Sequence, residues 1–143
     1  MKTNIAISFV SAAVLCIGSS AAFAQVAVVV SPKSPVTAMT ADQVSGIFLG
    51  KSNTLPTGGT AVPTDQPDSA AVRELFYTKV TGKNTAQVKA AWSRLVFSGK
   101  ATPPKELASS ADVKKFVASN PDAIGYIEKS AVDSSVKVVF SAD

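Results

Sequence analysis

Five consecutive apolar residues, Val26 to Val30 (VAVVV), constrain the fold more than any other feature of the chain. The run is too short for a typical helix, and its β-branched residues favour a strand. A strand with one face in water alternates apolar and polar residues, whereas this run has no polar position. The sequence therefore predicts a parallel or mixed sheet that is covered by helices on both faces.

Two helices after this strand carry clear signals. Thr40 and Gln43 form a capping-box pattern, which predicts that a helix begins after Thr40. Within residues 72–80, apolar residues recur at helical spacing and predict a helix that packs on the core, with Arg73 and Tyr77 off the apolar stripe.

The predicted order of elements along the chain is β-α-β-α-α-α-β-β. The last two strands are predicted at residues 123–128 and 136–140, and residues 101–107, with their two prolines, are predicted to be a rigid connector. This order favours an α/β fold, namely a single three-layer domain with a mixed sheet of about four strands.

Residues 1–24 have the organisation of a secretory signal peptide. Lys2 supplies a positive charge, residues 5–17 are apolar, and small residues at the end of the segment fit a cleavage site after Ala24. A membrane anchor is the alternative, but a span needs about 20 apolar residues. We therefore expect a signal peptide at 1–24, a mature domain at 25–143, a periplasmic location and no membrane span after cleavage.

Missing residue types restrict the chemistry of the chain. It has no histidine, and its single cysteine, Cys16, lies in the predicted signal peptide. Histidine- and cysteine-dependent catalysis are therefore excluded, as are nearly all zinc and transition-metal sites. Asp65 and Asp68 resemble the carboxylate pair of glycoside hydrolases, but a small domain offers little cleft for a sugar. We expect no enzyme activity, no cofactor and no metal.

The charge pattern also argues against one class of partner. The net charge of +4 is spread thinly along the chain. Binding to nucleic acid would require a denser basic patch with interleaved aromatic residues. We expect no nucleic-acid partner.

The stretch 62–76, VPTDQPDSAAVRELF, predicts a strand, a tight polar loop and the first turns of a helix. The first N–H groups of a helix have no partners within it and carry partial positive charge, so this junction can bind an anion. It can equally start a helix without a ligand. Asp65 or Asp68 would then cap the helix, and Arg73 would be a solvated surface charge. The residues alone leave both interpretations open.

Three segments in order resemble one known family. Residues 41–56 (ADQVSGIFLGKSNTLP) resemble the L-x-x-I-F-x-G-K-x-x-x-W segment of phosphate-binding proteins of ABC transporters. Residues 62–76 resemble their strand–loop–helix element, which carries R-x-D-G-S-G-T, and residues 120–128 (NPDAIGYIE) resemble their T-P-G-A-I-G-Y-V-E. Classical members bind phosphate between two lobes. This chain resembles one lobe of a type 2 periplasmic binding protein, as in the small single-domain members.

The resemblance implies a modified phosphate site. Ser69 matches the family's phosphate-binding serine, Ala70 stands where the family has glycine, and Asp65 stands where alignment places the phosphate-binding arginine. A carboxylate about 4 Å from a phosphate charge would cost about 4 kcal/mol at an effective dielectric near 20. Arg73 could replace the missing arginine. The ligand-binding residues that we expect are Ser69, Ala70, Gln66, Thr64, Asp65, Arg73 and Ser31, the last at the carboxyl end of the first strand, where open α/β sheets bind ligands.

Two functions follow from these observations. The first is an exported, non-enzymatic, solute-binding-like protein that recognises phosphate or a related small oxyanion at a helix N-terminus. It includes a role in ABC-type transport, with an ABC permease or self-association as the protein partner. The alternative is an envelope protein-interaction or dimerisation module that has lost phosphate binding.

Overall fold

The computed structural model describes residues 25–143, so the predicted signal peptide lies outside the described residues and stays a prediction. The strands are β1 (Val26–Val30), β2 (Val62–Asp65), β3 (Lys105–Glu106), β4 (Ala123–Glu128) and β5 (Lys137–Ala142). The helices are α1 (Ala41–Phe48), α2 (Ala71–Phe76), α3 (Thr85–Phe97) and α4 (Ser110–Ser119). A π-helical turn (Tyr77–Thr81) continues α2, and a 3₁₀ turn (Lys129–Ala131) follows β4.

These strands form one mixed sheet in the order β3-β2-β4-β1-β5. β1 is antiparallel to both β4 and β5, whereas β2 is parallel to β4 and to β3. The prediction of a mixed sheet is confirmed, with five strands in the described residues rather than about four. The additional strand, β3, lies within the predicted connector 101–107 and has only two residues. β3 forms because β2 has a free edge with which it can pair. A pattern within a two-residue segment cannot indicate the presence of that edge.

Helices cover both faces of this sheet, as the apolar run predicted. Val26, Val28 and Val30 pack in the larger core with residues of α1, α2 and α3. Ala27 and Val29 point the other way and pack in a smaller core with residues of α4. All five residues of β1 are fully buried. The predicted three-layer α/β domain is therefore confirmed.

The predicted start of α1 is also confirmed. The Thr40 hydroxyl accepts a hydrogen bond from the Gln43 N–H (3.1 Å), and the Gln43 side chain accepts one from the Thr40 N–H (2.9 Å). This reciprocal pair satisfies N–H groups that a helix start leaves without partners. Of the helices in residues 25–143, none has the length and apolar character that crossing a membrane requires.

Gly125 of β4 marks a close approach between the sheet and α4. A Cβ atom at this position would lie 2.5 Å from Val113 Cγ1 and 2.6 Å from Thr64 Oγ1. We expect Gly125→Ala to lower the free energy of unfolding by about 1–3 kcal/mol, because the added methyl group overpacks this contact. Urea denaturation measures the change. Gly46→Ala within α1 is the matched control, since its Cβ would have only an ordinary contact (3.8 Å) and should stabilise the helix by about 0.5–1 kcal/mol. A neutral Gly125→Ala would contradict the close approach.

Candidate functional site

The carboxylate of Asp65, at the end of β2, is the centre of a buried polar cluster. Its Oδ1 accepts hydrogen bonds from the Gln66 backbone N–H (2.9 Å) and from the Tyr126 hydroxyl. Its Oδ2 accepts one from the Tyr77 hydroxyl (2.8 Å). Only 13% of the Asp65 side chain is exposed. A carboxylate removed from water to this degree needs such donors, because its desolvation is otherwise uncompensated.

Arg73 of α2 supplies the positive charge of this cluster. Its Nε lies 3.3 Å from Asp65 Oδ1, and its Cζ lies 4.9 Å from the centroid of the Tyr77 ring. Burial alone would lower the pKa of Arg73, but Asp65 and its other neighbours outweigh burial, so the pKa is raised and the guanidinium stays charged. Only 6% of the residue is exposed. The interpretation of Arg73 as a solvated surface charge is therefore wrong.

One nitrogen of this guanidinium has no well-formed partner. Arg73 Nη1 lies 3.2 Å from Asp68 Oδ1, yet it is a buried atom without a hydrogen bond. The short distance therefore reflects charge attraction with poor alignment, and Asp68 itself is mostly exposed, at 74% of its side chain. An unsatisfied buried donor costs about 1–3 kcal/mol, so Nη1 retains capacity to bind an acceptor.

Tyr77 and Tyr126, which the sequence did not indicate as site residues, are held by aromatic packing. The Tyr126 ring stacks on Phe76 with 4.2 Å between centroids, and the Tyr77 ring meets Phe76 edge-on at 5.0 Å. Arg73 and Tyr77 are four residues apart and so share one helix face. The sequence pattern placed these two residues outside the apolar face of the helix that packs on the core. Both are nevertheless buried, and both contact Asp65. An arginine and a tyrosine at this spacing, after an aspartate at a strand end, are the signal that could have identified the cluster.

Both tyrosine hydroxyls should resist ionisation in the folded protein. Burial raises the pKa of Tyr77 and of Tyr126 well above the usual range, and the Asp65 carboxylate raises both further. Unfolded tyrosines ionise near pH 10, so the folded state binds more protons above that pH. Stability should therefore fall as the pH rises above about 10, by up to about 1.4 kcal/mol per pH unit for each tyrosine.

Tyrosinate absorbance measures this behaviour directly, because the chain has only two tyrosines. Alkaline titration should show tyrosinate only as circular dichroism reports unfolding. Tyrosinate in a protein that keeps its native circular dichroism spectrum would contradict the buried pairing of these hydroxyls with Asp65.

Three predicted ligand-binding residues are buried and hydrogen-bonded within the protein. Thr64 donates its hydroxyl to a backbone carbonyl of β4 (3.1 Å), and the Gln66 amide donates to another (2.9 Å). The Ser31 hydroxyl lies 3.5 Å from a backbone carbonyl of α4. Thr64 and Gln66 flank Asp65. Ser31 lies at the opposite end of the sheet. The antiparallel strand β1, which precedes Ser31, ends beside the first residues of β4. The parallel strand β2 begins beside those residues and ends farther along β4, where Asp65 lies.

The start of α2 differs from the predicted cap. Ala70 is the N-cap residue, it makes no side-chain cap, and its N–H donates to the Pro67 carbonyl (2.9 Å). The interpretation of Asp65 or Asp68 as the helix cap is therefore wrong. Ser69 is exposed beside this turn. The role of Ser69 and Ala70 in ligand binding stays a prediction.

A cavity of about 560 Å³ opens beside the Asp65 cluster. Its polar wall includes Asp65, Gln66, Asp68, Arg73 and Glu106, and its apolar surface comes from residues of α3 and from the two prolines before β3. Arg73 therefore borders a space large enough for a small solute, while its Nη1 is itself buried. Within residues 25–143, no group of three or more side chains of metal-ligating type is arranged to hold a metal ion.

Comparison with known proteins identifies structural relatives. No protein-family model and no curated protein sequence matches the chain. Among solved structures, a protein described as a phosphate ABC transporter substrate-binding protein with bound phosphate, from Clostridium perfringens, is 25% identical with a TM-score of 0.66. An ABC-type phosphate transport receptor from Vibrio cholerae is 22% identical with a TM-score of 0.63, and PstS from Borrelia burgdorferi is 14% identical with a TM-score of 0.59.

Each of these matches covers 81% of this chain but only 45–47% of the other protein. The chain therefore spans about half the length of the solved structures that it matches. These relatives are transport substrate-binding proteins rather than enzymes. The resemblance that three sequence motifs predicted is confirmed in three dimensions: the chain has the fold of about half of a phosphate ABC transporter substrate-binding protein.

Proposed function

We propose that this protein is an exported solute-binding domain for a small oxyanion, in which the Asp65 carboxylate occupies the oxyanion position. One observation carries this proposal: four donor groups converge on a single carboxylate, of which only 13% is exposed. They are the backbone N–H of Gln66, the guanidinium of Arg73 and the hydroxyls of Tyr77 and Tyr126. Backbone N–H groups, hydroxyls and a guanidinium are also the groups by which proteins bind free oxyanions.

The structural relatives support this class of solute. The Clostridium perfringens structure is described with bound phosphate, and its likeness to this chain extends over most of the described residues. Phosphate or a related small oxyanion as ligand, export by the signal peptide to the periplasm, and a role in ABC-type transport with a permease are parts of this proposal.

The internal carboxylate sets the affinity that we expect. A group tethered to the site competes at an effective concentration in the millimolar range or above. A free oxyanion would bind only in the fraction of molecules in which Asp65 has moved away, and its apparent affinity falls by that fraction. The neighbouring cavity, which Arg73 borders, has room for the displacing oxyanion. We therefore propose weak binding in the millimolar range.

A thermal unfolding series tests this function. Phosphate at about ten times its dissociation constant should stabilise the protein by about 1.4 kcal/mol, and sulfate should act similarly. Chloride at matched ionic strength is the control, because it reproduces salt screening without the tetrahedral oxyanion. Equal melting temperatures in phosphate, sulfate and chloride would contradict an oxyanion-binding function.

The protein-interaction module remains the second candidate, and one observation favours it. Phe97, at the end of α3, is 96% exposed and lines the cavity beside the Asp65 cluster, next to the half-exposed Val96. Exposed apolar patches commonly mark interfaces between proteins. If this candidate is correct, phosphate will leave stability unchanged, and sedimentation will show a dimer that Phe97→Ser dissociates.

A further inference from the structure

A second cavity, of about 710 Å³, lies between the ends of α1 and α3 and the edge of the sheet at β2 and β3. All charged residues that line it are lysines, namely Lys51, Lys100 and Lys105. It has no carboxylate in its wall, in contrast to the cavity beside Asp65. Its charge therefore favours an anionic ligand.

Two of these lysines have ammonium groups available for a ligand. Lys51 and Lys100 are exposed, and neither makes an ion pair or a side-chain hydrogen bond with any residue in 25–143. Lys105 differs, because its Nζ lies 4.9 Å from the centroid of the Phe116 ring. We therefore assign the anion contact to Lys51 and Lys100.

Helix ends provide the ordinary explanation for lysines at such positions. Lys51 follows α1, Lys100 follows α3, and each helix C-terminus carries a partial charge of roughly −0.5. The two ammonium groups together carry two positive charges, and the two helix ends together carry about one negative charge, so about one positive charge remains. The cavity thus stays positive after the helix ends have been compensated, and an anion is still favoured.

The backbone around these lysines is held in place by packing. The Trp92 indole N–H of α3 donates to the Phe48 carbonyl of α1 (2.8 Å), which joins the two helices beside the cavity. Gly50, at a φ of 76°, approaches α3 so closely that a Cβ would lie 2.5 Å from Leu95 Cδ1. The N–H of Lys51 donates to a carbonyl of α1 (2.8 Å), and that of Lys100 to a carbonyl of α3 (3.0 Å). The backbone that carries both lysines is therefore held in place before a ligand binds.

The composition of the wall defines the chemistry of the ligand. Hydroxyl-bearing residues Ser52, Thr60 and Thr102 accompany the lysines, and Trp92 and Pro63 provide apolar surface. The volume lies in the range of small-molecule sites and far exceeds that of inorganic phosphate. We propose that this cavity binds an organic phosphate monoester, with its phosphate on Lys51 and Lys100 and its carbon body against Trp92. This cavity shares Trp92 and Pro103 with the cavity beside the Asp65 cluster, but no side chain of the cluster lines it. The proposal therefore does not depend on the oxyanion function proposed above.

Trp92 provides the readout, since it is the only tryptophan in the chain. Titration with glycerol 3-phosphate and ribose 5-phosphate should change its fluorescence, with a dissociation constant at or below about 10 mM. The Lys51→Ala and Lys100→Ala variants should each weaken binding by about tenfold or more, because each removes a charge-assisted contact. Both lysines are exposed, so both variants should fold as the wild type does.

Lys89→Ala is the matched control, because Lys89 is an exposed lysine of α3 that lines the other cavity. The affinity of the Lys89→Ala variant for the phosphate monoesters should equal that of the wild type. Glycerate, which has a carboxylate in place of the phosphomethyl group of glycerol 3-phosphate, should bind at least about tenfold more weakly. The proposal would be overturned by the absence of a fluorescence change or by unchanged affinity in either lysine variant. It would also be overturned if Lys89→Ala lost as much affinity as the Lys51 and Lys100 variants, or if glycerate bound as tightly as the monoesters.

Discussion

Replacing Asp65 with alanine is expected to lower the free energy of unfolding by about 3–5 kcal/mol. The substitution leaves the Arg73 guanidinium, of which 6% is exposed, without its buried counter-charge. It also removes the acceptor for the hydroxyls of Tyr77 and Tyr126. Urea denaturation of the variant and of the wild type at neutral pH measures this loss.

Small oxyanions should restore much of the lost stability in Asp65→Ala. The variant keeps the donors and leaves a space shaped for a carboxylate, so formate or acetate should bind there and stabilise the fold. Phosphate should also bind, because the adjoining cavity of about 560 Å³ provides room for its additional oxygens.

Asp65→Asn is the control for this rescue. It removes the same charge but fills the same space, so the oxyanions should not stabilise it beyond their effect on the wild type. Equal stabilisation of Asp65→Ala and Asp65→Asn would show that the oxyanions act elsewhere. An Asp65→Ala variant as stable as the wild type would contradict the role of the carboxylate altogether.

Arg73→Met is expected to destabilise the protein by about 3 kcal/mol, because it leaves the Asp65 charge buried with neutral donors only. The double variant Asp65→Asn with Arg73→Met should be more stable than the sum of the single changes predicts, by about 1–3 kcal/mol. The reason is that Asp65→Asn leaves the Arg73 charge without its counter-charge, and Arg73→Met then removes that uncompensated charge. Urea denaturation of the four proteins gives this coupling energy.

Arg94→Met is the matched control for this cycle. Arg94 is an exposed arginine of α3, so its replacement should change stability by no more than about 0.5 kcal/mol. Additive effects of the Asp65 and Arg73 substitutions would mean that the two side chains do not interact in solution, in contradiction to their 3.3 Å contact.

Local patterns predicted the framework of this fold correctly. The five apolar residues of β1 required cover on both faces of the sheet, and Thr40 with Gln43 specified the start of α1. Both signals depend on neighbours within a few residues, which a single sequence displays. The two-residue strand β3 was missed because it depends on the edge of β2, about 40 residues earlier in the chain.

The candidate site could be located from sequence but its contacts could not. Motif resemblance identified the β2–α2 junction, yet the hydroxyl that approaches Asp65 from β4 belongs to Tyr126, 61 residues away. Polarity suggested that Arg73 faces water, whereas a buried carboxylate can hold a buried guanidinium at the same position. A helical pattern does not distinguish these outcomes, because they depend on what lies opposite the helix.

The most direct test of the central claim, that Asp65 occupies the oxyanion position, is calorimetric titration of phosphate into the wild type and Asp65→Ala at one pH and ionic strength. Asp65→Ser, which keeps a hydroxyl in the cluster, gives the same comparison in a second variant. We predict that removal of the carboxylate tightens phosphate binding by about tenfold or more, since the competing internal anion is gone. Phosphate binding that is as tight or tighter in the wild type would contradict the claim.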